Sequence, residues 1–244
     1  MKPVKLFEEF ISEGIHDLNT LKAFFMAGGP GSGKSHVASE IFGFPHDAIN
    51  SISYRTGLKL INSDIAFEHM LKGMGIDPKN LAELDPIEFA KLTQGPDSPR
   101  ERAKKITIMK KDFYKEGRLG MVIDGTGDDF SKIKVKKDEL EEFGYDTYMI
   151  FINTSLEVAQ ARNARRTRTL PEELVSDIWH AVQDNIGAFQ REFGSQNMVI
   201  VDNSVDGDVS FSDIEKVLNK LLKKPIQNSI GRKWLKGEQL LITF

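Results

Sequence analysis

Short runs of consecutive apolar residues alternate along the chain with longer segments in which apolar positions recur at helical spacing. An uninterrupted apolar run of this kind predicts a strand buried on both faces, and helical spacing predicts an amphipathic helix. The predicted strands are 21–27, 58–61, 120–124, 146–152 and 198–201. Strands that alternate with helices predict an α/β fold, in which a mostly parallel five-stranded sheet carries helices on both faces.

Two segments outside the predicted sheet have recognisable patterns. The pattern of residues 1–19 predicts an amphipathic helix at about 4–13, which either packs on the domain or binds a protein partner. Residues 75–99 contain four prolines and predict an insert or flap around a short helix at 86–92.

The rest of the chain predicts one domain and a tail. The domain is expected to span 20–224, with helices up to about Thr56 and across 171–193. Residues 225–244 are expected to form a polar C-terminal tail.

A glycine-rich loop follows the first predicted strand. It matches the pattern G-x-x-x-x-G-K-S and lies between a strand and a helical segment, as a phosphate-binding loop must. Its residues, all expected to bind nucleotide, are Gly28, Gly29, Pro30, Gly31, Ser32, Gly33, Lys34 and Ser35. Glycines let backbone N–H groups approach phosphate oxygens, Lys34 is expected to reach the β- and γ-phosphates, and the Ser35 hydroxyl is expected to bind Mg²⁺. The alternative is a glycine-rich turn that carries a lysine by chance, which the strand–loop–helix context disfavours.

Polar residues also follow the other predicted strands. They are Asn62-Ser63-Asp64, Asp124-Gly125-Thr126, Asn153-Thr154 and Asp202-Asn203. In open parallel sheets the ligand binds beyond the carboxyl ends of the strands. We therefore expect these residues to form the rim of one active site.

Three rim residues are candidates for chemistry. Asp64 is placed to orient an acceptor hydroxyl and accept its proton, although an aspartate at a helix start is also a common N-cap. Asp124 follows Met-Val-Ile, as in a Walker B strand, and is expected to bind Mg²⁺ unless it only forms a turn. Thr126 is expected to contact the acceptor or a phosphate.

Arginines are concentrated in the segment 155–170. Arg162 and Arg166 are four residues apart on one helical face, with Arg165 and Arg168 beside them. Such a set is most often a solvated surface, but beside a phosphate loop it is able to close as a lid and stabilise the transferring phosphoryl group.

Composition narrows the remaining classes of function. The net charge is −3, so no global field attracts nucleic acid or an anionic membrane. Cysteine is absent, which excludes thiolate catalysis and thiolate metal sites, and the five histidines have no metal-ligand spacing. No apolar run approaches the roughly 18 residues of a membrane span. We expect a cytoplasmic protein.

The motifs occur in an order that resembles the zeta-toxin and polynucleotide-kinase-like branch of P-loop kinases. They are G-G-P-G-S-G-K-S, I-N-S-D, V-I-D-G-T, N-T-S-L-E-V-A-Q-A-R-N-A-R-R-T-R-T-L-P-E-E-L and V-D-N, within about 20–204. The resemblance implies a three-layer P-loop NTPase fold and transfer of a phosphoryl group from ATP or GTP to an acceptor hydroxyl. It also implies that Asp64 is the base, that Arg162 and Arg166 are lid arginines, and that Asn203 lies near the nucleotide base.

The chain departs from these families at two positions. Polynucleotide 5′-kinases usually have an arginine three residues after the base, where this chain has Phe67, and zeta-type kinases often have glutamate in place of Asp124. Phe67 is therefore expected to face the acceptor. The acceptor stays open among a nucleotide, a nucleotide sugar and a nucleoside in nucleic acid.

Two other functions remain as alternatives. An NTP-hydrolysing switch would use water as the acceptor. A nucleic-acid-binding module with a structural nucleotide is supported only by Arg118 and the lysines of 104–111 and 132–137, which are more typical of solvated helix faces.

Overall fold

The structure, a computed structural model, describes residues 17–44, 52–165, 169–204 and 211–242. Within these ranges one sheet contains the strands β1 (Lys22–Ala27), β2 (Lys59–Ile61), β3 (Met121–Asp124), β4 (Asp146–Asn153) and β5 (Met198–Asp202). Neighbouring strands are all parallel, in the order β2-β3-β1-β4-β5. The predicted α/β fold and all five predicted strands are confirmed, and β1 is the central strand.

Helices follow the strands and cover both faces of the sheet. They are α1 (Lys34–Phe42), α2 (Ser63–Gly73), α3 (Pro86–Thr93), α4 (Pro99–Glu116), α5 (Phe130–Glu142), α6 (Leu156–Ala164), α7 (Glu172–Asp184), α8 (Ile186–Phe193), α9 (Phe211–Lys223) and α10 (Ser229–Ile242). In the same described ranges, short 3₁₀ segments lie at Pro78–Glu83 and Ser195–Asn197. Among the helices in the described ranges, none has the length and apolar character needed to cross a membrane.

The central strand β1 is buried along its whole length because both of its faces are covered. On one face, Phe24 packs edge-on against Phe42 of α1 and stacks on Tyr148 of β4. On the other face, Phe25 packs against Phe193 of α8. Truncation of such a buried phenylalanine to alanine typically costs about 3–5 kcal/mol, so these two layers hold the sheet that carries the loops of the site.

A third, smaller core lies apart from the sheet. It joins α2, the first 3₁₀ segment, α3 and α4 through the buried side chains Phe67, Leu71, Leu81, Leu92 and Ala103. The helix expected at 86–92 is present as α3. The segment 75–99 is thus packed onto α2 and α4, and its movement as a flap stays a prediction.

Two helix predictions were wrong in part. The helix expected to reach Thr56 is not present in residues 52–56, where Ser53 Oγ accepts a 2.8 Å hydrogen bond from Thr56 N and closes a turn. The helix expected across 171–193 is two helices, α7 and α8. Asn185 lies between them and its amide donates to the carbonyl oxygens of Gly127 and Asp128.

The C-terminal residues, expected to be a polar tail, contain the helix α10. Its start is stabilised by Asn228 Oδ1, which accepts a 2.9 Å hydrogen bond from Ile230 N. Its Trp234 packs against the hydrophobic core that includes Phe25 of β1, and the Arg118 guanidinium lies 4.5 Å from the centre of the Trp234 ring. The helix expected at 4–13 lies outside the described residues.

Candidate functional site

The glycine-rich loop lies between β1 and α1, as the sequence predicted. Gly31 and Gly33 have φ angles of 78° and 81°, which only glycine adopts without strain. A side chain at Gly31 would also overlap the carbonyl group of Ala159 in α6. The loop leads directly into α1, so the positive end of that helix faces whatever the loop binds.

Neighbouring strand ends hold this loop in place. The buried amide of Asn203, after β5, donates a 2.7 Å hydrogen bond to the carbonyl oxygen of Ser32. After β3, the carbonyl oxygen of Thr126 accepts from Gly28 N at 2.8 Å. Asn203 therefore supports the glycine-rich loop, a role that sequence reasoning did not assign to it, and its expected contact with a nucleotide base stays a prediction.

Lys34 and Asp124 form an ion pair beside the loop. Lys34 Nζ lies 3.3 Å from Asp124 Oδ1, and Asn62 Nδ2 donates a 2.7 Å hydrogen bond to Asp124 Oδ2. Burial raises the pKa of the Asp124 carboxyl, and Lys34 opposes that rise. Oδ1 is buried, and among the described residues its ion-pair partner is the Lys34 ammonium.

The donor set around Asp124 fits Mg²⁺. A serine hydroxyl and a carboxylate are hard oxygen ligands, and Ser35 and Asp124 line the same cleft, where the buried Asp124 Oδ1 faces the Lys34 ammonium at 3.3 Å. Across the described ranges, no group of three or more histidine, cysteine, aspartate or glutamate side chains could hold a metal ion. A metal held by Ser35 and Asp124 would need its other ligands from phosphate and water, which is how Mg²⁺ usually binds in proteins.

Asp64 lies in the first turn of α2, directly after β2. It is not the N-cap of that helix, because the Asn62 side chain accepts the 2.7 Å hydrogen bond from Asp64 N. The Asp64 side chain is 61% exposed and bonds to Arg100 Nη1 through Oδ1 at 2.6 Å. The carboxylate is thus presented to the cleft instead of being consumed in a cap.

Arg100 is the residue that sequence reasoning missed. It comes from the first turn of α4, and its guanidinium lies 5.3 Å from the centre of the Phe67 ring. A cation in the first turn of a helix is disfavoured by the helix dipole. Its presence there was the one sequence signal that Arg100 has an anionic partner elsewhere. Phe67 is 2% exposed, so its ring supports Arg100, and its expected contact with an acceptor stays a prediction.

The arginine segment is fixed at its base. Arg162, in α6, donates a 2.9 Å hydrogen bond to the carbonyl oxygen of Asn203, and Asn163 bonds both backbone groups of Leu170. Arg166 lies outside the described residues. Only Arg162 of the two predicted lid arginines is therefore placed, and it lines the same cleft as Lys34.

Most of the predicted site residues line one cleft of about 870 Å³. Its lining includes Gly28, Gly29, Pro30, Gly31, Gly33, Lys34, Ser35, Asp64, Asp124, Thr126 and Arg162. Ser32, Asn203 and Phe67 are buried beneath or beside it. The volume is near the upper end of the range for small-molecule sites, so the cleft has room for a nucleotide together with an acceptor.

The lysines of α4 and α5 are largely paired with carboxylates. Lys111 and Lys115 both contact Glu139, at 2.8 and 2.5 Å, and Lys137 contacts Glu141 at 2.7 Å. These pairs reduce the positive charge that the two helix faces offer to a nucleic acid.

Comparison with known proteins gives a likeness of fold. No family model matches the sequence, and no curated protein matches it. A structure described as a putative kinase from Chloroflexus aurantiacus is 12% identical over 82% of this chain and 98% of its own, with a TM-score of 0.52. A chain of the AvrRxo1-ORF1:-ORF2 complex with ATP is 13% identical over 91% of this chain and 73% of its own, with a TM-score of 0.54. A chain of the PezAT toxin–antitoxin system of Streptococcus pneumoniae is 14% identical over 97% and 95%, with a TM-score of 0.51. The chain therefore has the α/β fold of P-loop kinases, as its sequence motifs predicted.

Proposed function

We propose that this protein is an ATP-dependent phosphotransferase that moves the γ-phosphate of ATP to a hydroxyl group of an acceptor. The observation that carries the proposal is one cleft in which Lys34 is paired with Asp124 and Asp64 lies at the end of the next strand in the sheet. ATP is the first choice of donor because a structure of similar fold was solved with ATP. GTP is the alternative donor.

Each residue has a role that follows from its place. The loop amides and Lys34 hold the phosphates, while Ser35 and Asp124 would hold Mg²⁺, which neutralises charge on the phosphates when bound. Asp64 accepts the proton of the acceptor hydroxyl as its oxygen bonds to the γ-phosphorus and the bond to ADP breaks. Arg162, and Arg166 as predicted from the sequence, stabilise the charge that develops on the transferred group.

The acceptor is proposed to be a nucleotide, a nucleotide sugar or a nucleoside in nucleic acid, and the size of the cleft supports a small molecule. Thr126 lines the cleft beside Asp124, which supports its predicted contact with the acceptor or a phosphate. A protein partner at residues 4–13 and a cytoplasmic location are further proposals from the sequence. The structures of similar fold include chains from a toxin–antitoxin system and from a two-protein complex, which supports the proposal of a protein partner.

Transfer of label from γ-labelled ATP to a panel of acceptors tests the proposal. Asp64→Asn should abolish transfer and leave ATP binding intact, whereas Lys34→Ala should weaken ATP binding itself. Asp138→Asn removes a carboxylate of α5 that pairs with Lys134, and serves as the matched control. Full transfer by the Asp64→Asn variant would overturn the assignment of the base, and rapid hydrolysis that no acceptor alters would favour the NTP-hydrolysing switch.

A further inference from the structure

We propose that the acceptor lies in the part of the cleft between α1 and α2 and carries a phosphate or similar anionic group that Lys72 and Lys79 bind. This inference deepens the proposed function and rests on it. It names a subsite at the end of the cleft away from Asp64, and a chemical class of acceptor: a small molecule with a hydroxyl at one end and an anion at the other.

The cleft extends well beyond the phosphate loop. One wall is the face of α2 formed by Asp64, Glu68 and Lys72, which recur at intervals of four residues. With a rise of 1.5 Å per residue, the backbone positions of Asp64 and Lys72 lie about 12 Å apart along the helix. His36 and Ser39 of α1 line the same cleft. An acceptor whose hydroxyl reaches Asp64 therefore extends along α2 toward Lys72.

The far end of this groove is positively charged. Lys79, from the 3₁₀ segment that packs on α2 through Leu81, lines the same cleft as Lys72. Within the described ranges neither lysine forms an ion pair, whereas Lys104 and Lys132 on the outer helices each pair with a nearby carboxylate. Two ammonium groups without an ion-pair partner on the wall of one cleft attract an anionic ligand electrostatically.

The other residues that line the cleft limit which chemical groups the rest of the acceptor is able to carry. Leu60 and Phe44 line the cleft and are almost fully buried, so they offer a small apolar contact. Glu68 and His69 lie on the wall between the two ends and suit hydroxyl or amide groups. A nucleic-acid strand carries a phosphate on every nucleotide and would bring one toward Glu68, where like charges repel. The observations thus favour a small molecule with a single distal anionic group.

Calorimetry on protein saturated with Mg²⁺ and a non-hydrolysable ATP analogue tests the subsite, because the phosphate loop is then occupied and no transfer is needed. The probes are two matched pairs, cytidine with cytidine 5′-diphosphate and glucose with glucose 6-phosphate, together with a short oligodeoxycytidine. We expect at least one phosphorylated probe to bind about tenfold or more tightly than its unphosphorylated partner.

The double variant Lys72→Ala/Lys79→Ala should lose that preference and keep its affinity for the ATP analogue. The matched control Lys220→Ala/Lys223→Ala removes the same charge from α9, outside the cleft, and should keep the preference. The proposal is overturned if neither phosphorylated probe is preferred, if the cleft double variant retains the preference, or if the oligonucleotide binds best through the same lysines. Loss of phosphotransfer alone would not affect this result, so the two proposals fail separately.

Discussion

The guanidinium of Arg100 donates a 2.6 Å hydrogen bond to Oδ1 of Asp64, joining the first turn of α4 to the first turn of α2. The bond occupies one oxygen of the proposed base and leaves Oδ2 for the proton of an acceptor hydroxyl. The Phe67 ring lies beneath the guanidinium and is itself locked in the small core shared by α2, α3 and α4. The base is therefore oriented by a residue 36 positions away, from a segment that has no phosphate-binding motif.

Replacement of Arg100 should disturb the orientation of Asp64 without touching the nucleotide. In Arg100→Ala we expect kcat for phosphotransfer to fall, by up to about 100-fold, because a small displacement of a reacting group is enough for such a loss. The KM for ATP should stay close to that of the wild type. Steady-state kinetics with labelled ATP and the best acceptor of the screen measures both quantities.

Two variants separate positioning by Arg100 from a general effect of charge. Arg100→Lys keeps the cation and one possible hydrogen bond, so it should recover part of kcat. Arg102→Ala removes an exposed arginine two residues away and should leave kcat unchanged. Wild-type kcat in Arg100→Ala would show that Asp64 does not depend on this bond.

Asn203 should set the affinity of the phosphate loop for nucleotide. Asn203→Ala leaves the buried carbonyl oxygen of Ser32 without its hydrogen bond, at a cost of about 1–3 kcal/mol. We expect a lower melting temperature and an affinity for ATP about tenfold weaker, because the loop is held less firmly. Thermal unfolding and titration with a fluorescent ATP analogue measure the two effects. An unchanged affinity in a destabilised variant would limit Asn203 to a structural role.

Much of this fold was predictable because the signals were local. The run of mostly apolar residues at 21–27 predicts that β1 is buried on both faces. The loop that follows has positive φ angles at Gly31 and Gly33, which favour glycine. The helix α10 was not predicted because the residues at its start are polar. Its apolar side becomes apparent only in the folded protein, where Trp234 packs against the core.

The site was less predictable where its contacts join distant segments. Asp64 was recognised from its place after a strand, but its partner Arg100 lies beyond the proline-containing insert. Phe67 was expected to face the acceptor, and the packing of α4 on α2 places the Arg100 guanidinium over its ring. Pairings of this kind depend on tertiary structure and leave no spacing pattern in the sequence.

Acid should weaken Mg²⁺-dependent nucleotide binding sooner than an ordinary aspartate would allow. Burial raises the pKa of Asp124, so in the free protein this carboxyl takes up a proton at a higher pH than usual, and the protonated form does not ligand a metal. Affinity for an ATP analogue, measured with and without Mg²⁺ between about pH 8 and about pH 5, should show this loss.

Loss of binding at Asp124 should be distinct from acid unfolding. A carboxyl whose pKa is raised by folding binds its proton more tightly in the folded state, so its contribution to the free energy of unfolding increases as the pH falls through the raised value. The melting temperature should therefore not follow the loss of affinity. Asp124→Asn should bind the analogue equally with and without Mg²⁺ at every pH. Full Mg²⁺-dependent affinity of the wild type down to about pH 4 would contradict the prediction.

Asn163 should determine how firmly the arginine segment is attached beside the cleft. Its Nδ2 donates to the carbonyl oxygen of Leu170 at 2.8 Å and its Oδ1 accepts from Leu170 N at 3.1 Å, so one buried amide ties α6 to Leu170. In Asn163→Ala both hydrogen bonds are lost, at a cost of about 1–3 kcal/mol, and we expect faster cleavage by trypsin after the arginines of 165–168 together with a lower kcat.

Asn163→Asp can still accept from Leu170 N but places a carboxylate oxygen against the Leu170 carbonyl, so it should resemble the alanine variant. Asn197→Ala removes a side chain that donates to Phe193 O away from the cleft, and should leave both readouts unchanged. If the trypsin pattern of Asn163→Ala matched that of the wild type, the segment would be held by contacts other than those of Asn163, among them the bond of Arg162 with Asn203.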